Sequence, residues 1–470
     1  MYFSAFAAIC RTSFSSKGGL HFSSFSSLKA ALETGPATAG PHVLPAGTHH
    51  LILSGLSARP LADAAITTPP ARTPAVLRAA GPPAPSQDKP LWSLPLVAGA
   101  PVTRITSADV DGDGQPELLV ACGSAGHVVG RAGDLRWSYQ TNGIVRDVST
   151  AKFTKGGLRT ILVSSQDTYL YLLDPAGKLQ RRQQMTGIYF STDHGERPWG
   201  LYCTRAVDTD GDGVDNMLVT TLASMEAQGL DTDLKKLWRT LAAYHGCIDI
   251  AVQDLNADGK PEIVIADKYG AVHVLQPNGR LILTSSTSIG DVTFGLGDLN
   301  GDGKTEIVHG SSTGDMIACD LAGKILWRFD NYGYPVERIL CADVNGDGRT
   351  EVLLASGTGF LYCLGPKGDL LWGRRLGLAV HDVTVSDAVI IAGTEDGDLH
   401  AFDGAGKPIW SKHLGAPVIR LAIMGAAGTL RPSGHGVSLA SQRRPPLTAD
   451  GRPLVVAGLA DGQLSAFAVR

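Results

Sequence analysis

The feature that most constrains this chain is an acidic nine-residue motif that recurs five times between residues 109 and 351. Each copy begins Asp-x-Asp/Asn-x-Asp-Gly and is followed directly by a short run typical of a β-strand. The last three copies start 44 and 45 residues apart. With the strand before the motif and the Gly-rich turns after it, each unit holds four predicted short strands. A four-stranded unit with this period is a β-propeller blade.

Tryptophan marks the predicted outermost strand of most units and so gives the number of blades. Two further units, residues 144–182 and 380–412, keep the strand pattern but lack the acidic motif. The outer-strand markers are Trp92, Trp137, Leu179, Trp238, Leu281, Trp327, Trp372 and Trp410. We therefore predict an all-β, eight-bladed propeller. The alternative is seven blades, if the last unit, which carries a long insertion at 426–452, is not a genuine blade.

The ring of blades is predicted to close through a strand that precedes the first repeat. The last unit ends at residue 470 before its fourth strand. Residues 89–96 (KPLWSLPL) match residues 407–414 (KPIWSKHL), which hold the fourth strand of the preceding unit. A strand supplied in this way would remove the exposed edges of an open array.

Outside the repeats the sequence is less informative. We assign residues 89–470 to the propeller and residues 59–88, rich in Pro and Ala, to a linker. Residues 1–58 are unassigned and are interpreted as the end of a truncated β domain, since 45–56 predict a turn and one strand. The seven Cys fit no zinc pattern. Most lie in apolar runs, which favours small buried side chains over disulfides or reactive thiols.

The acidic motif offers the oxygen ligands that a hard cation requires. Positions 1, 3, 5 and 9 supply carboxylates or amides, and calcium takes six to eight oxygens. A Gly at position 6 permits the positive φ that wraps the chain around an ion. An Asp/Asn/Gly turn without metal is the alternative, but five copies in register favour up to five calcium sites, the Asn216 site being the weakest. The predicted ligands are Asp109, Asp111, Asp113, Glu117, Asp208, Asp210, Asp212, Asn216, Asp254, Asn256, Asp258, Glu262, Asp298, Asn300, Asp302, Glu306, Asp343, Asn345, Asp347 and Glu351.

These units resemble the FG-GAP or VCBS repeats of integrin α-subunit propellers and of bacterial secreted proteins. Residues 323–327 (GKILW) and their relatives also resemble the strand repeats of PQQ-type propellers. The resemblance implies a propeller with calcium in stabilising loops and an extracellular, cell-surface or periplasmic location. It does not imply an activity, because one fold hosts many functions. No adjacent Cys pair of the kind common in PQQ enzymes is present, and no organic cofactor is expected.

Charged residues are predicted to line the axial channel. Counting back five residues from each motif, and aligning the other units, reaches the innermost strands. These positions are Arg104, Asp147, Cys203, Asp249, Thr293, Arg338, Asp382 and Arg420. One interpretation is a set of salt bridges that plugs the channel. The other is an anion- or uronate-binding funnel, in which the neighbouring Arg420 and Arg104 lack an acid between them and take an external carboxylate.

A second candidate site lies in the connections between blades. The insertion 188–199 contains His194 and Trp199, and the corresponding connections hold His245, Tyr334 and His381. Aromatic residues with Arg, His and Glu suit a sugar, although a packed loop has the same composition.

Composition excludes some functions and leaves two open. A net charge of −4 gives no basis for nucleic-acid binding. No apolar run is long enough for a membrane span. The favoured function is a monomeric, secreted module for adhesion or for binding a glycan or extracellular protein. The alternative is a polysaccharide-active enzyme resembling rhamnogalacturonan lyases, for which a His beside a channel Arg would supply the base.

Overall fold

The computed structural model describes residues 89–188, 195–241, 246–386, 388–424 and 453–469, and the backbone of three further strands at 47–54, 60–68 and 430–431. The chain divides into two compact units, residues 1–75 and 76–470. No helix long and apolar enough to cross a membrane occurs in the described parts of the chain.

In the first unit, the strand Gly47–Ser54 pairs antiparallel with Pro60–Thr68. The first strand agrees with the prediction for residues 45–56. The second occupies residues that the sequence placed in the linker. Pro60 is the first residue of that strand and Pro69 follows its last. Because Pro is tolerated at the start of a strand, a Pro-rich composition conceals a paired segment here. The domain limits stay predictions.

The second unit consists of eight four-stranded antiparallel blades, as predicted. From the innermost strand outward, blades 1 to 4 are Val102–Ala108, Glu117–Cys122, Ala125–Val129, Leu135–Gln140; Val145–Ala151, Thr160–Ser165, Tyr169–Leu173, Leu179–Gln184; Leu201–Val207, Met217–Leu222, Glu226–Asp231, Lys236–Leu241; and Cys247–Gln253, Glu262–Asp267, Ala271–Leu275, Leu281–Ser286. Blades 5 to 7 are Val292–Gly297, Glu306–Ser311, Asp315–Cys319, Ile325–Asp330; Val336–Ala342, Glu351–Ser356, Phe360–Leu364, Leu370–Arg375; and Val380–Ser386, Val389–Thr394, Asp398–Phe402, Pro408–His413. A two-residue hairpin, Thr186–Gly187 with Arg197–Pro198, lies between blades 2 and 3.

Blade 8 closes the ring with a strand from the other end of the chain. It contains Val418–Met424, Leu454–Leu459 and Gln463–Ala468, and its outer strand is Trp92–Pro95. Trp92 pairs with Ala466, and Pro95 with Gln463. A further short strand, Leu430–Arg431, pairs with the innermost strand of the blade. The predicted closure is therefore confirmed, and the seven-blade alternative is wrong.

Burial explains why the inner strands read as continuous apolar runs. The second strand of blade 1, Glu117–Cys122, is buried at every residue, because a neighbouring blade packs on each of its faces. The outer strand Leu135–Gln140 alternates between exposed and half-buried residues. The core therefore lies between adjacent blades and follows the ring.

Tryptophan recurs in the outer strands because it joins neighbouring blades. Trp137 of blade 1 donates its indole N–H to Pro175 O of blade 2 over 2.9 Å. A Cβ on Gly177 in the same turn would lie 2.5 Å from the Trp137 ring, so the turn requires Gly. Four more indoles make the equivalent bond to the next blade: Trp92, Trp238, Trp327 and Trp372.

The cysteines are buried in the blades rather than bridged. Six of the seven, all but Cys10, lie in the described residues, and all six are free and buried. Burial raises the pKa of Cys341 to about 12 and of Cys319 in the same direction. The interpretation as small buried side chains is confirmed for these six.

We expect these six thiols to be inert in the folded protein, because thiolate is the reactive form. Ellman's reagent should detect at most one thiol, Cys10, in native protein and all seven after denaturation in guanidinium. A native count of two or more would contradict this burial.

Candidate functional site: acidic loops and the channel mouth

The blade topology separates two faces of the propeller. Each acidic loop joins the innermost strand of its blade to the second strand. The connection from the preceding blade reaches the opposite end of that innermost strand. The five acidic loops therefore share one face, and the predicted channel and connection residues lie towards the other. We call this second end of the channel the mouth.

Within each loop the first Asp organises the backbone. Asp298 accepts hydrogen bonds from Gly301 N at 2.7 Å and Gly303 N at 2.9 Å. The third residue, Asn300, accepts from Asp302 N at 2.8 Å. Gly303 has φ 82°, the left-handed conformation expected at position 6. The same bonds from position 6 to position 1 recur in the loops that start at Asp109, Asp208, Asp254 and Asp343.

The ninth residue brings a buried carboxylate to the loop. Glu306 begins the second strand of its blade, is buried, and accepts from Leu299 N at 2.7 Å. Burial raises the pKa of Glu306, and the nearby Asp302 and Asp298 raise it further. The same direction and causes hold for the other three Glu at this position, Glu117, Glu262 and Glu351. A buried carboxylate among other carboxylates lacks positive charge, which a bound cation would supply.

The blade 3 loop differs at its end. Asn216 takes the place of Glu and accepts from Thr209 N at 3.1 Å. The preceding Asp215 points to blade 2 instead, where its carboxylate accepts from Lys152 N at 2.6 Å. This loop therefore keeps the shape of the others while its extra acid stabilises the contact between blades.

The donor set fits calcium. In blade 1, Asp109, Asp111 and Glu117 bring carboxylate oxygens within 4.8 Å of one another. In blade 3, Asp208, Asp210 and Asp212 do the same. Oxygen-only ligands suit calcium better than zinc, and calcium accepts less regular coordination than magnesium does. The calcium assignment stays a prediction for all five loops.

The predicted channel residues form ion pairs, and these are not confined to adjacent blades. Arg104 of blade 1 lies 3.4 Å from Asp147 of blade 2 and 3.0 Å from Asp249 of blade 4. Blade order predicts only Cys203 and Thr293 beside Asp249. The difference arises because an Arg side chain is long enough to reach across the channel. Arg205, which sequence reasoning missed, adds a second cation at Asp147.

Arg338 and Arg420 lie on either side of Asp382 in blade order. Arg338 Nε is 3.4 Å from Asp382 Oδ1, yet Arg338 Nε and Nη2 make no hydrogen bond in the described parts of the chain. Arg420 donates from Nε to Thr103 O at 2.9 Å and from Nη1 to Ile419 O at 2.6 Å. Asp382 accepts from Leu421 N and Val383 N.

A second group of side chains lies on the same face as the mouth, in blades 6 and 7 and in the connection that precedes blade 6. His381 contacts Glu395 through Nε2 and lies 3.6 Å from Glu337 through Nδ1. These carboxylates raise the pKa of His381 against the opposing effect of burial. Tyr332 and Tyr334, in the connection between blades 5 and 6, are 51% and 37% exposed. Sequence reasoning missed both Glu residues, although Glu337 directly precedes the predicted Arg338.

The remaining predicted residues are placed differently. Trp199 is half-buried, donates its indole N–H to Gly187 O at 3.2 Å and packs near Arg197. Trp199 therefore packs against other residues of the connection between blades 2 and 3. In blades 2 to 4, Arg146 and Lys268 lie 5.7 and 5.9 Å from the ring of Tyr202. His194 and His245 fall outside the described residues.

The comparisons with known families concern the middle of the propeller. Residues 306–412 match the lambda-carrageenase beta-propeller domain, and residues 254–309 match the FG-GAP-like repeat. Together these matches suggest a binding or carbohydrate-related module. No curated protein matches the chain in sequence.

Solved structures support the fold alone. Sqt1 of Saccharomyces cerevisiae aligns with a TM-score of 0.61 and 10% identity over 82% of this chain and 100% of its own. The computationally designed Ika8 protein aligns with a TM-score of 0.56 and 14% identity over 81% of this chain and 100% of its own. BamB from Moraxella catarrhalis aligns with a TM-score of 0.50 and 14% identity over 81% and 99%.

Proposed function

We propose, given that this chain is an eight-bladed β-propeller carrying an FG-GAP-like repeat, that it is a calcium-stabilised extracellular module that binds a glycan at the channel mouth. The acidic loops hold calcium on one face and fix the blades. The mouth on the other face contacts the ligand. Such a module serves adhesion when the glycan that it binds belongs to another surface.

This proposal rests on the pair of exposed tyrosines in the connection between blades 5 and 6, on the face opposite the acidic loops. Tyr332 is 51% exposed and has φ 58°, a conformation that is uncommon for residues other than Gly. Its N–H donates to Asp330 Oδ1 at 2.7 Å, which holds this turn. Exposed aromatic rings on a fixed turn suit the apolar faces of sugars.

The matched carbohydrate-related segment supports the same location. Residues 306–412 contain Tyr332 and Tyr334 as well as Glu337, Arg338 and His381. The polar groups that would orient a sugar therefore lie in the segment shared with the lambda-carrageenase propeller.

The structure gives less support to the lyase alternative. A lyase needs a base, which must be unprotonated at the working pH. Glu337 and Glu395 raise the pKa of His381 and so favour its protonated form. His381 is therefore poorly suited to act as that base, and the other two candidates, His194 and His245, lie outside the described residues.

A glycan array with the full chain, in calcium and in chelator, tests the proposal. We expect binding in calcium that Tyr332→Ala and Tyr334→Ala each weaken several-fold, since loss of a stacked aromatic costs about 1 kcal/mol. Leu237→Ala, at an exposed outer-strand residue, is the matched control. Retained glycans are then assayed by ultraviolet absorbance for unsaturated products. Absence of any calcium-dependent binding would contradict the proposal, and product formation would favour the lyase.

A further inference from the structure

We infer that the channel contains a carboxylate-binding site between Arg338 and Arg420, and that an acidic sugar supplies the carboxylate. This inference rests on the proposed glycan-binding function and names the chemical class of its ligand.

Arg338 has donors that the protein leaves unused. The residue is only 4% exposed, and its Nε and Nη2 have no hydrogen-bond partner in the described ranges. A buried donor without a partner loses its hydration and gains nothing in return. The guanidinium presents its N–H groups as a planar fork, which two carboxylate oxygens match in a bidentate manner.

Arg420 is bonded but not neutralised. It donates hydrogen bonds to two backbone carbonyls, Thr103 O and Ile419 O, which carry no net charge. Asp382 is the acid between the two arginines, and it already accepts from the backbone N–H groups of Val383 and Leu421. One carboxylate that also binds two amides cannot fully compensate two guanidiniums.

The charges of the channel leave a positive excess at this point. Four guanidiniums, Arg104, Arg205, Arg338 and Arg420, face three carboxylates, Asp147, Asp249 and Asp382. Arg104 and Arg205 both form ion pairs with Asp147, and Arg104 also forms one with Asp249. The charge of Glu337 raises the pKa of Arg420, but Glu337 is already paired with His381. The excess therefore lies with Arg338 and Arg420.

Electrostatics agree with this location. Burial lowers the pKa of Arg338 to about 10, and the like charges of Arg420 and Arg104 contribute in the same direction. An added negative charge would offset the repulsion from these two guanidiniums and favour the charged form of Arg338. The sequence placed the uncompensated pair at Arg420 and Arg104, but the contacts of Arg104 with two Asp residues move the site to Arg338.

The full chain can be titrated calorimetrically with glucuronate, acetate and glucose at fixed ionic strength. We expect glucuronate and acetate to bind one equivalent and glucose to bind more weakly. Arg338→Gln and Arg420→Gln should each lower glucuronate affinity roughly tenfold to a hundredfold, the range for a lost charge-assisted hydrogen bond. Arg328→Gln, at an exposed outer-strand residue, removes the same charge and should change nothing.

The outcomes separate this site from the proposed function. Unchanged glucuronate affinity in both variants, or a large loss of melting temperature with unchanged binding, overturns the site and leaves only an ion-pair plug. Acetate binding that Arg338→Gln abolishes, with no glycan bound on the array, supports the carboxylate site and contradicts glycan binding. If the Gln variants do not fold, crystals of the wild-type protein soaked in glucuronate decide: density beside Arg338 supports the site, and its absence overturns it.

Discussion

Deletion of residues 1–96 is expected to cause aggregation or a large loss of stability, whereas deletion of residues 1–86 leaves a folded propeller. The longer deletion removes the strand Trp92–Pro95 and exposes the edge of Gln463–Ala468. It also removes the Trp92 indole that bonds to Arg131 O of blade 1. Loss of a packed Trp alone costs about 3 kcal/mol or more.

Static light scattering and calorimetry of the two truncated proteins measure this difference. Trp92→Ala in the shorter deletion is a finer test, because the backbone strand stays in place. If the two truncations melt at the same temperature and stay monomeric, the ring does not depend on this strand.

Removal of calcium is expected to lower the melting temperature strongly. A loop that binds calcium only when the protein is folded stabilises the folded state. At a free ion concentration one hundred times the dissociation constant, each such loop contributes about 2.7 kcal/mol. Calorimetry in calcium and in chelator measures the sum over the loops. The loop that ends in Asn216 should contribute least, because it lacks the ninth carboxylate.

A single substitution assigns part of this effect to a loop. Glu306→Gln keeps the shape and the acceptor for Leu299 N but removes one negative charge and the acceptor for Asn300 Nδ2. It should reduce the stabilisation by calcium, measured as the difference in melting temperature between calcium and chelator in the variant and in the parent chain. Asp134→Asn, at a half-exposed surface ion pair, is the control. Equal stabilisation of both variants by calcium would contradict a site in this loop.

The fold was predictable because its signals repeat. One Trp proves little, but Trp137 and Trp327 stand at the same place in their units and make the same bond to the next blade. The match of residues 89–96 to residues 407–414 was enough to predict closure. Repetition turns a weak local pattern into a strong one.

The site was less predictable because its contacts run across the repeats. Blade order gives neighbours around the ring, and it paired Arg104 with Asp147 correctly. It could not give the contact of Arg104 with Asp249, three blades away, which depends on side-chain length and channel width. Trp199 shows the same limit, since its sequence context did not reveal that its indole bonds to Gly187 O.

We propose that the repeated acidic loops bind calcium and so fix the propeller that carries the mouth. Diffraction from crystals grown in calcium, recorded at a wavelength where calcium scatters anomalously, locates the bound ions. We expect anomalous peaks inside the loops that start at Asp109, Asp254, Asp298 and Asp343, with a weaker peak at Asp208. We expect none in residues 152–159, the corresponding connection of blade 2, which lacks the motif. Loops without peaks at saturating calcium would show that they do not bind calcium.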